Sequence, residues 1–438
     1  MSSLEPALIY NLFPTLAGPF TGWRPHLERA ATMGFNWIFV NPVTTPGLSG
    51  SLYAVKDYFS LNERLVDSSS GDSPRSQLES MLETAHGLGL KVMLDLVINH
   101  TAIDSPLVTE HPEWYKRDKK GRIRHPGVKE EGKKKKTVWG DLAQIDNSCL
   151  DGSNTREALR QYWWRVTRYY LELGFDGFRC DAAYKVPDAL WEFLIGRAVE
   201  KFPGTLFFAE SLGCTVDKVV ALAGAGFDYV FNSSKYWDFK EPWCLTQYEE
   251  SRALAPSVSF PESHDTLRLF RELKGNPDAV RQRYLFAALF STGVMIPVGF
   301  EFGFEKKLHV VRTTPEDWEQ TGVDLCSFIN RANRYKLERP IFCHESPTFR
   351  FDLHPGTGDV TGLIKVESEA GPSALMLINR DPDTPQPVMI ENIGHCLPGT
   401  SQVVLEHPGL GHAAEPLVPG RFERLLEPAA LIVLRRDR

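Results

Sequence analysis

The sequence lacks the features that mark membrane, nucleic-acid-binding and disulfide-framework proteins. No apolar run approaches the ~20 residues that span a bilayer. The N-terminus (MSSLEPALIYNLFP) has neither the basic segment nor the long apolar stretch of a secretory signal. Positive charge is in the minority: 49 Lys and Arg against 56 Asp and Glu give a formal net charge of −7, which argues against a nucleic-acid binder. Cysteine is scarce and scattered. Cys149, Cys180, Cys214, Cys244, Cys326, Cys343 and Cys396 form an odd number without a C-x-x-C pair, so reduced thiols and a cytoplasmic setting are expected rather than a disulfide framework or a structural zinc site. There is no internal repeat. What remains is a soluble, mildly acidic globular chain with no membrane partner. Its 438 residues exceed the ~250–300 that one hydrophobic core organises, which predicts one large domain with additions.

What is present is a rhythm. Short apolar runs at 7–13, 35–40, 91–98, 175–180, 205–209, 227–231, 257–260 and 294–300 alternate with helical stretches. Most runs are apolar throughout, as parallel strands buried on both faces are. In 157–173, Leu159, Trp163, Val166, Tyr170 and Leu173 recur at three- and four-residue steps, and Gly174 supplies a stop. Eight such units predict an α/β fold, a (β/α)8 TIM barrel. A doubly wound open sheet is the competitor, weakened because no G-x-G-x-x-G follows the first strand.

Two stretches break the rhythm. Residues 101–154 are polar and carry a basic run from Lys119 to Lys136. They are expected to form an inserted domain after the third strand, beside the face where barrel enzymes carry their substrate loops. From 345 onward, short β-rich runs separated by Pro, Gly, Asp and Asn predict an antiparallel β-sandwich. The expected domains are therefore a barrel over 1–344, the insertion 101–154 within it, and a C-terminal domain over 345–438.

Side chains at the C-terminal ends of barrel strands converge on one pocket. The third strand ends in Asp95, Asn99 and His100, the fourth in Arg179 and Asp181, the fifth in Glu210, and the seventh in Glu262, His264 and Asp265. The sixth ends in Asn232, to which no role is given. Asp181, Glu210 and Asp265 with two histidines and an arginine suit cleavage of a glycosidic bond. One carboxylate attacks the anomeric carbon, and a second, kept protonated, serves the departing oxygen. Arg179, two residues before Asp181, shares its side of the strand and would hold that acid ionised. Burial and neighbouring acids would raise the pKa of Glu210. The structural alternatives are an Arg179–Asp181 ion pair, an ordinary strand-end acid at Glu210, core histidines at 100 and 264, and a supporting rather than sugar-binding Asp95.

DLVINH (95–100), GFRCDAAYK (177–185), FFAE (207–210) and FPESHD (260–265), together with YAVKDY (53–58) and GVMIPVGFE (293–301), resemble in order and spacing the motifs of the α-amylase family of glycoside hydrolases (family 13). The resemblance implies Asp181 as nucleophile, Glu210 as general acid/base and Asp265 as stabiliser of the transition state. Tyr53, Asp95, His100, Arg179 and His264 would line the same sugar subsite, with Lys185 beside it. It also implies retention of anomeric configuration, with carboxyl groups ~5–5.5 Å apart, on an α-glucan or malto-oligosaccharide substrate. No cofactor is implied beyond a calcium site that some members build between insertion and barrel; Asn99 with Asp141 or Asp146 is the candidate here. Trp139 is a candidate for stacking on a sugar face.

The resemblance has departures. Starch-cleaving members carry Lys-His three and four residues after the nucleophile, where this chain has Tyr184 and Lys185. GSLYAVKDYFSLN is closer to maltosyltransferase-type members, among them users of maltose-1-phosphate, for which Lys185 or Lys133 to Lys136 would serve the phosphate. The expected activity is therefore cleavage of α-1,4-glucosidic bonds with hydrolysis or transfer, or maltosyl transfer from maltose-1-phosphate or glucan. The rival of another class is a catalytically inactive carbohydrate-binding or transporter-associated subunit, which would have lost the acids. A metal-dependent hydrolase would need a third histidine among the motifs.

Overall fold

Eight parallel strands close into a barrel in the computed structural model of the chain, which describes residues 5–128, 137–148, 154–367, 373–397, 403–418 and 420–436. The strands are β1 (Leu8–Leu12), β2 (Trp37–Val40), β3 (Lys91–Leu96), β4 (Gly177–Cys180), β5 (Leu206–Ala209), β6 (Tyr229–Phe231), β7 (Ser257–Ser259) and β8 (Gly293–Pro297). Each pairs with its sequence neighbours, and β1 closes on β8. All eight expected runs are barrel strands, trimmed mostly at their ends because the terminal residues turn into loops.

A helix follows every strand: α1 (Arg24–Thr32), α2 (Pro74–Gly87), α3 (Asn154–Leu173), α4 (Asp188–Lys201), α5 (Val216–Gly224), α6 (Trp243–Ser251), α7 (Pro277–Phe290) and α8 (Cys326–Leu337). Helix α2 starts at Ser73, whose side chain accepts from the Ser76 N–H, with proline in the first turn. Helix α7 starts in the same way at Asn276. Helix α3 buries the predicted stripe, with Leu159, Trp163, Val166 and Tyr170 essentially inaccessible. No described helix is long and apolar enough to cross a membrane.

Strand alternation sorts the side chains into two cores. Ile9, Trp37, Phe39, Met93, Phe208, Tyr229, Phe231, Val258, Phe260 and Met295 fill the barrel interior. The intervening Leu8, Ile38, Leu94, Phe178, Phe207, Val230 and Val294 pack outward against the helices. Cys180 belongs to this outer layer, so it neighbours Asp181 in sequence while facing away from the pocket. Gly177 is fixed by close approach: a Cβ there would lie 2.3 Å from the Leu206 carbonyl oxygen on β5.

Between β3 and α3, His100–Ala102 pairs antiparallel with Leu142–Gln144, and Gly127–Val128 pairs with Thr137–Val138. Lys133 to Lys136 lie outside the described residues. The C-terminal part has strands β9 (Thr348–Phe351), β10 (Val360–Val366), β11 (Ser373–Asn379), β12 (Gln386–Ile390), β13 (Val403–Glu406), β14 (Glu415–Leu417), β15 (Phe422–Leu426) and β16 (Leu431–Arg436). They form an antiparallel six-stranded sheet, β9-β10-β11-β16-β13-β14, and a two-stranded sheet, β12-β15. This part is fastened to the barrel by buried polar contacts. Lys365 Nζ donates to the Phe290 carbonyl at the end of α7 (2.6 Å), and the Tyr335 hydroxyl on α8 donates to Glu406 Oε2 on β13 (2.7 Å).

Gly177→Ala is expected to lower stability by about 1–3 kcal/mol through overpacking against β5. Gly196→Ala, on exposed α4 with nothing near its Cβ, should raise it by about 0.5–1 kcal/mol. Denaturant midpoints of the two variants check the contrast.

Candidate active site

The pocket is set by the inward register of the strands. Asn11 continues the inward column of Ile9, Asn41 that of Phe39, Asp95 that of Met93, Arg179 and Asp181 that of Gly177, and Glu210 that of Phe208, two residues at a time. Each column is apolar in the barrel and polar where it emerges at the C-terminal face. A cavity of about 20 Å3 marks the floor, lined by Phe39, Arg179, Glu210, Phe231, His264 and Asp265 among others.

Arg179 is the hub. It is 4% exposed, and its Nη1 donates to both oxygens of Asp95 (2.8 and 2.9 Å) and to Asp181 Oδ1 (3.2 Å). Its Nη2 lies 3.1 Å from Glu210 Oε2. One guanidinium therefore spans three carboxylates, a use of its rigid fork that lysine could not copy. Asp95 stands directly across from Arg179 in the β3–β4 register. Glu210 Oε2 also accepts the Ala182 N–H at 2.6 Å. Ala182 takes left-handed backbone (φ 44°), a conformation that costs a non-glycine residue about 1–2 kcal/mol and that clusters at functional sites.

Tyr53 closes the opposite wall. Its hydroxyl donates to Asp95 Oδ2 (2.6 Å), accepts from Asn41 Nδ2 (2.9 Å) and lies 2.7 Å from His264 Nε2. The Tyr53 and His264 rings run parallel, with centroids 5.7 Å apart. His264 Nε2 also lies 3.2 Å from Asp265 Oδ2. His100 Nε2 lies 3.1 Å from the Tyr53 carbonyl, which fixes Nε2 as the protonated nitrogen.

The electrostatics separate the acids. Burial raises the pKa of Asp181 against the pull of Arg179, with Asp265 adding to the rise. Burial also raises Glu210, helped by Asp181 and Asp265 and opposed by Arg179. Burial pushes Asp95 up to about 7 despite Arg179. Asp265, at the open mouth, goes the other way: desolvation opposes its charge, but His264, Arg179 and Lys307 outweigh it and hold the carboxyl well below the usual range. Burial lowers His100 to about 4. Acids of raised and lowered pKa side by side are the arrangement that divides proton donor from charged stabiliser.

The comparisons with known proteins agree with this geometry. Residues 3–119 match the family model described as glycogen debranching enzyme, glucanotransferase domain. The alpha-1,4-glucan:maltose-1-phosphate maltosyltransferase of Burkholderia pseudomallei is 26% identical over 352 residues, 77% of this chain and 30% of that protein. The enzyme of the same name from Myxococcus xanthus is 25% identical over 401 residues, 84% of this chain and 56% of the relative. The maltogenic alpha-amylase AmyB from Thermotoga neapolitana superposes with a TM-score of 0.78 over the full length of both chains, at 20% identity. In sequence the chain is similar to these maltosyltransferases and to a glucanotransferase domain, and it shares its fold with alpha-amylases. It spans between 30% and 56% of the length of the two maltosyltransferases.

Of the residues that the family motifs single out, Asp181, Glu210, Asp95, Arg179, Tyr53 and His264 form one bonded network, with Asp265 attached through His264 and His100 through Tyr53. Lys185 lies close enough to Asp181 to favour its charge, with Nζ 5.9 Å from the Trp139 ring centroid and 5.3 Å from that of Tyr184. Trp139 is partly exposed, at 38%. Glu262 leaves the pocket: it is buried in an ion pair with Arg268 (2.8 Å) and accepts the Leu269 N–H, bracing the loop after β7. Asn232 instead ties Ser234, Ser257, Ser259 and Ser291 into a hydrogen-bonded knot.

Of the two acids in the calcium candidate, Asp146 is already engaged by a guanidinium. Arg156 Nη2 lies 2.5 Å from the Asp146 carboxylate and Nη1 donates to the Asp146 carbonyl, so a guanidinium already neutralises that acid. The Asn99 carbonyl accepts from the Ile145 N–H. No group of three His, Cys, Asp or Glu suited to a metal occurs among the described residues.

Sequence reasoning missed Asn11, Asn41 and Lys307. Asn11 Nδ2 donates to Asn41 Oδ1 (2.9 Å), which aims the Asn41 amide at Tyr53. The signal was available, since both amides stand on the inward columns of β1 and β2. Lys307 comes from the long loop after β8, and no local pattern marks it.

His100 binds its proton more weakly when folded, about 4 against an unfolded value of 6.5. The unfolded chain therefore takes up protons first, and stability present above pH ~6.5 is lost as pH falls toward 4. His26, lowered to about 4 chiefly by burial, acts in the same window. His100→Gln is expected to flatten, not abolish, this decline, measured by chemical denaturation at stepped pH.

Proposed function

We propose that the chain cleaves α-1,4-glucosidic bonds of malto-oligosaccharides or glucan with retention of configuration, passing the glycosyl unit to water or to a second sugar. The observation that carries this reading is the Arg179 fork, which holds Asp181 and Glu210 side by side, with Asp265 kept charged across the pocket. Asp181 attacks the anomeric carbon and forms a C–O bond as the bond to the leaving oxygen breaks. Glu210, in its protonated form, gives a proton to that oxygen. Glu210 then takes a proton from the incoming hydroxyl, which attacks the same carbon and releases Asp181. Asp265 faces the positive charge that develops on the ring, and its low pKa keeps it ionised throughout. Each step uses side chains of the network. Tyr53, Asp95, His100, Arg179, His264 and Lys185 position the sugar or these acids.

A second reading is favoured by the rim. Lys185 and Lys218 both approach the Tyr184 ring, at 5.3 and 5.5 Å, and Tyr184 in turn feels the charge of Glu210. The charge of the two lysines suits a phosphate leaving group, and two relatives are named for maltose-1-phosphate. In that reading the bond broken is the one between the anomeric carbon and a phosphate oxygen, and a glucan hydroxyl accepts the maltosyl unit. The five described cysteines without a disulfide support a reducing, cytoplasmic setting. An inactive binding subunit is disfavoured because all three acids are present and connected.

Asp181→Asn should lower turnover by roughly a thousandfold or more while maltoheptaose still binds, measured by calorimetry; activity within tenfold of the parent would overturn the assignment. Glu210→Gln should cost about 10²–10⁴-fold on maltoheptaose and far less on a glucosyl fluoride, which needs no proton to depart. The parent should show a bell-shaped pH profile, its alkaline limb belonging to loss of the Glu210 proton, and that limb should vanish for the fluoride. Product analysis with maltoheptaose and with maltose-1-phosphate, each with and without glucan, separates hydrolysis from transfer. Lys185→Ala should raise KM for the phosphorylated donor more than for maltoheptaose.

A further inference from the structure

A wide cleft lies outside the barrel mouth. It measures about 410 Å3 and sits where the outer face of α3 meets the short helical turn Pro112–Trp114 of the insertion, within the range of small-molecule sites. Its lining shares no residue with the pocket described above. Trp114 forms its floor. The side chain is 97% buried, and its indole N–H, buried as well, has no hydrogen-bond partner. An indole N–H is a donor only, and a buried donor without an acceptor is a cost.

The rest of the lining has the same sign. Arg165 and Arg168 project from α3 at the rim. Arg165 lies over the Tyr162 ring (5.1 Å) and has no ion pair among the described residues. Arg168 meets Glu172 only loosely, at 3.4 Å, Glu113 faces His111 at 3.3 Å, and Asp57 and Glu110 lie near enough to help raise the pKa of Tyr162. Gln161 already donates to Glu157. Neutral glucan is disfavoured by the aromatic surfaces. Trp114, Tyr162 and Trp164 are each more than 90% buried, and the His111 ring covers the face of Trp114 at 3.8 Å, so no open platform remains for a sugar ring to stack on.

We infer that this cleft is a second binding site, for a small phosphate ester of sugar size. The phosphoryl oxygens would meet the Arg165 and Arg168 forks beside Trp114, whose indole reports the change in its surroundings. The site has a physical route to the barrel mouth. Trp163, beside the cleft on α3, donates to Asn147, whose amide donates to the Ile98 carbonyl just before Asn99 and His100. The inference is independent of the chemistry proposed for the barrel.

The test uses the full chain carrying Asp181→Asn, so that no ligand is consumed, with its ten tryptophans labelled with 15N at the indole. Trp114→Phe identifies the Trp114 signal. Glucose 6-phosphate and glucose 1-phosphate at millimolar concentration should move that signal saturably, and maltose should not. Arg165→Gln, with the other nine indole signals unchanged, should weaken binding at least tenfold by calorimetry. Equal binding of inorganic phosphate would support the site and name the free ion as its ligand. The inference is overturned if no phosphate moves the signal, if maltose or maltoheptaose moves it and phosphates do not, or if Arg165→Gln binds as tightly as the parent.

Discussion

Everything in the pocket depends on one buried guanidinium. Arg179 stands among Asp95, Asp181 and Glu210, all at hydrogen-bond distance, and burial penalises each of these charges. A single positive group cannot fully offset three negative ones in a site this buried. Part of the set is therefore driven toward protonation, which is what a proton donor requires. Removing Arg179 would leave adjacent buried acids uncompensated, a change far larger than the loss of one surface pair. Asp265 escapes this competition because His264 supplies its counter-charge at the open mouth.

The hub exists because of how a closed parallel barrel treats alternate residues. The inward columns are filled largely by Phe, Met, Val and Trp within the sheet, and those of β1 to β5 continue as Asn, Asp, Arg or Glu toward the C-terminal face. Side chains from strands far apart in sequence are thereby brought to the same height on one axis. Asp95 reaches Arg179 across 84 residues, and Tyr53 reaches His264 across 211. Close packing between β4 and β5, with room only for glycine at 177, keeps Arg179 and Glu210 in register.

Much of this was legible in the chain. Eight apolar runs with helical stretches between them specified the barrel, because a parallel strand covered on both faces has no polar position to disguise it. Asp181, Glu210 and Asp265 were legible because polar residues at the end of an apolar run are conspicuous. Glu262 shows the limit: it sits in the same motif and looks equally available, yet the turn after β7 sends it to Arg268. Asp146 shows another, since its partner Arg156 lies beyond a stretch with no readable pattern. Lys307 was hidden because a lysine in the long loop after β8 has no signature until the pocket forms beside it.

The sequence by itself determined the barrel, its β-rich C-terminal part and the three acids, since each follows from local periodicity and from which residue ends a strand. Only the tertiary structure decided that one arginine serves three carboxylates, that Tyr53 and His264 share a hydroxyl contact, and that Trp114 faces an open cleft with its N–H unanswered. Those outcomes depend on distances between chain segments tens to hundreds of residues apart. Such distances are set by closure of the barrel and by packing around it, and no window of sequence contains them.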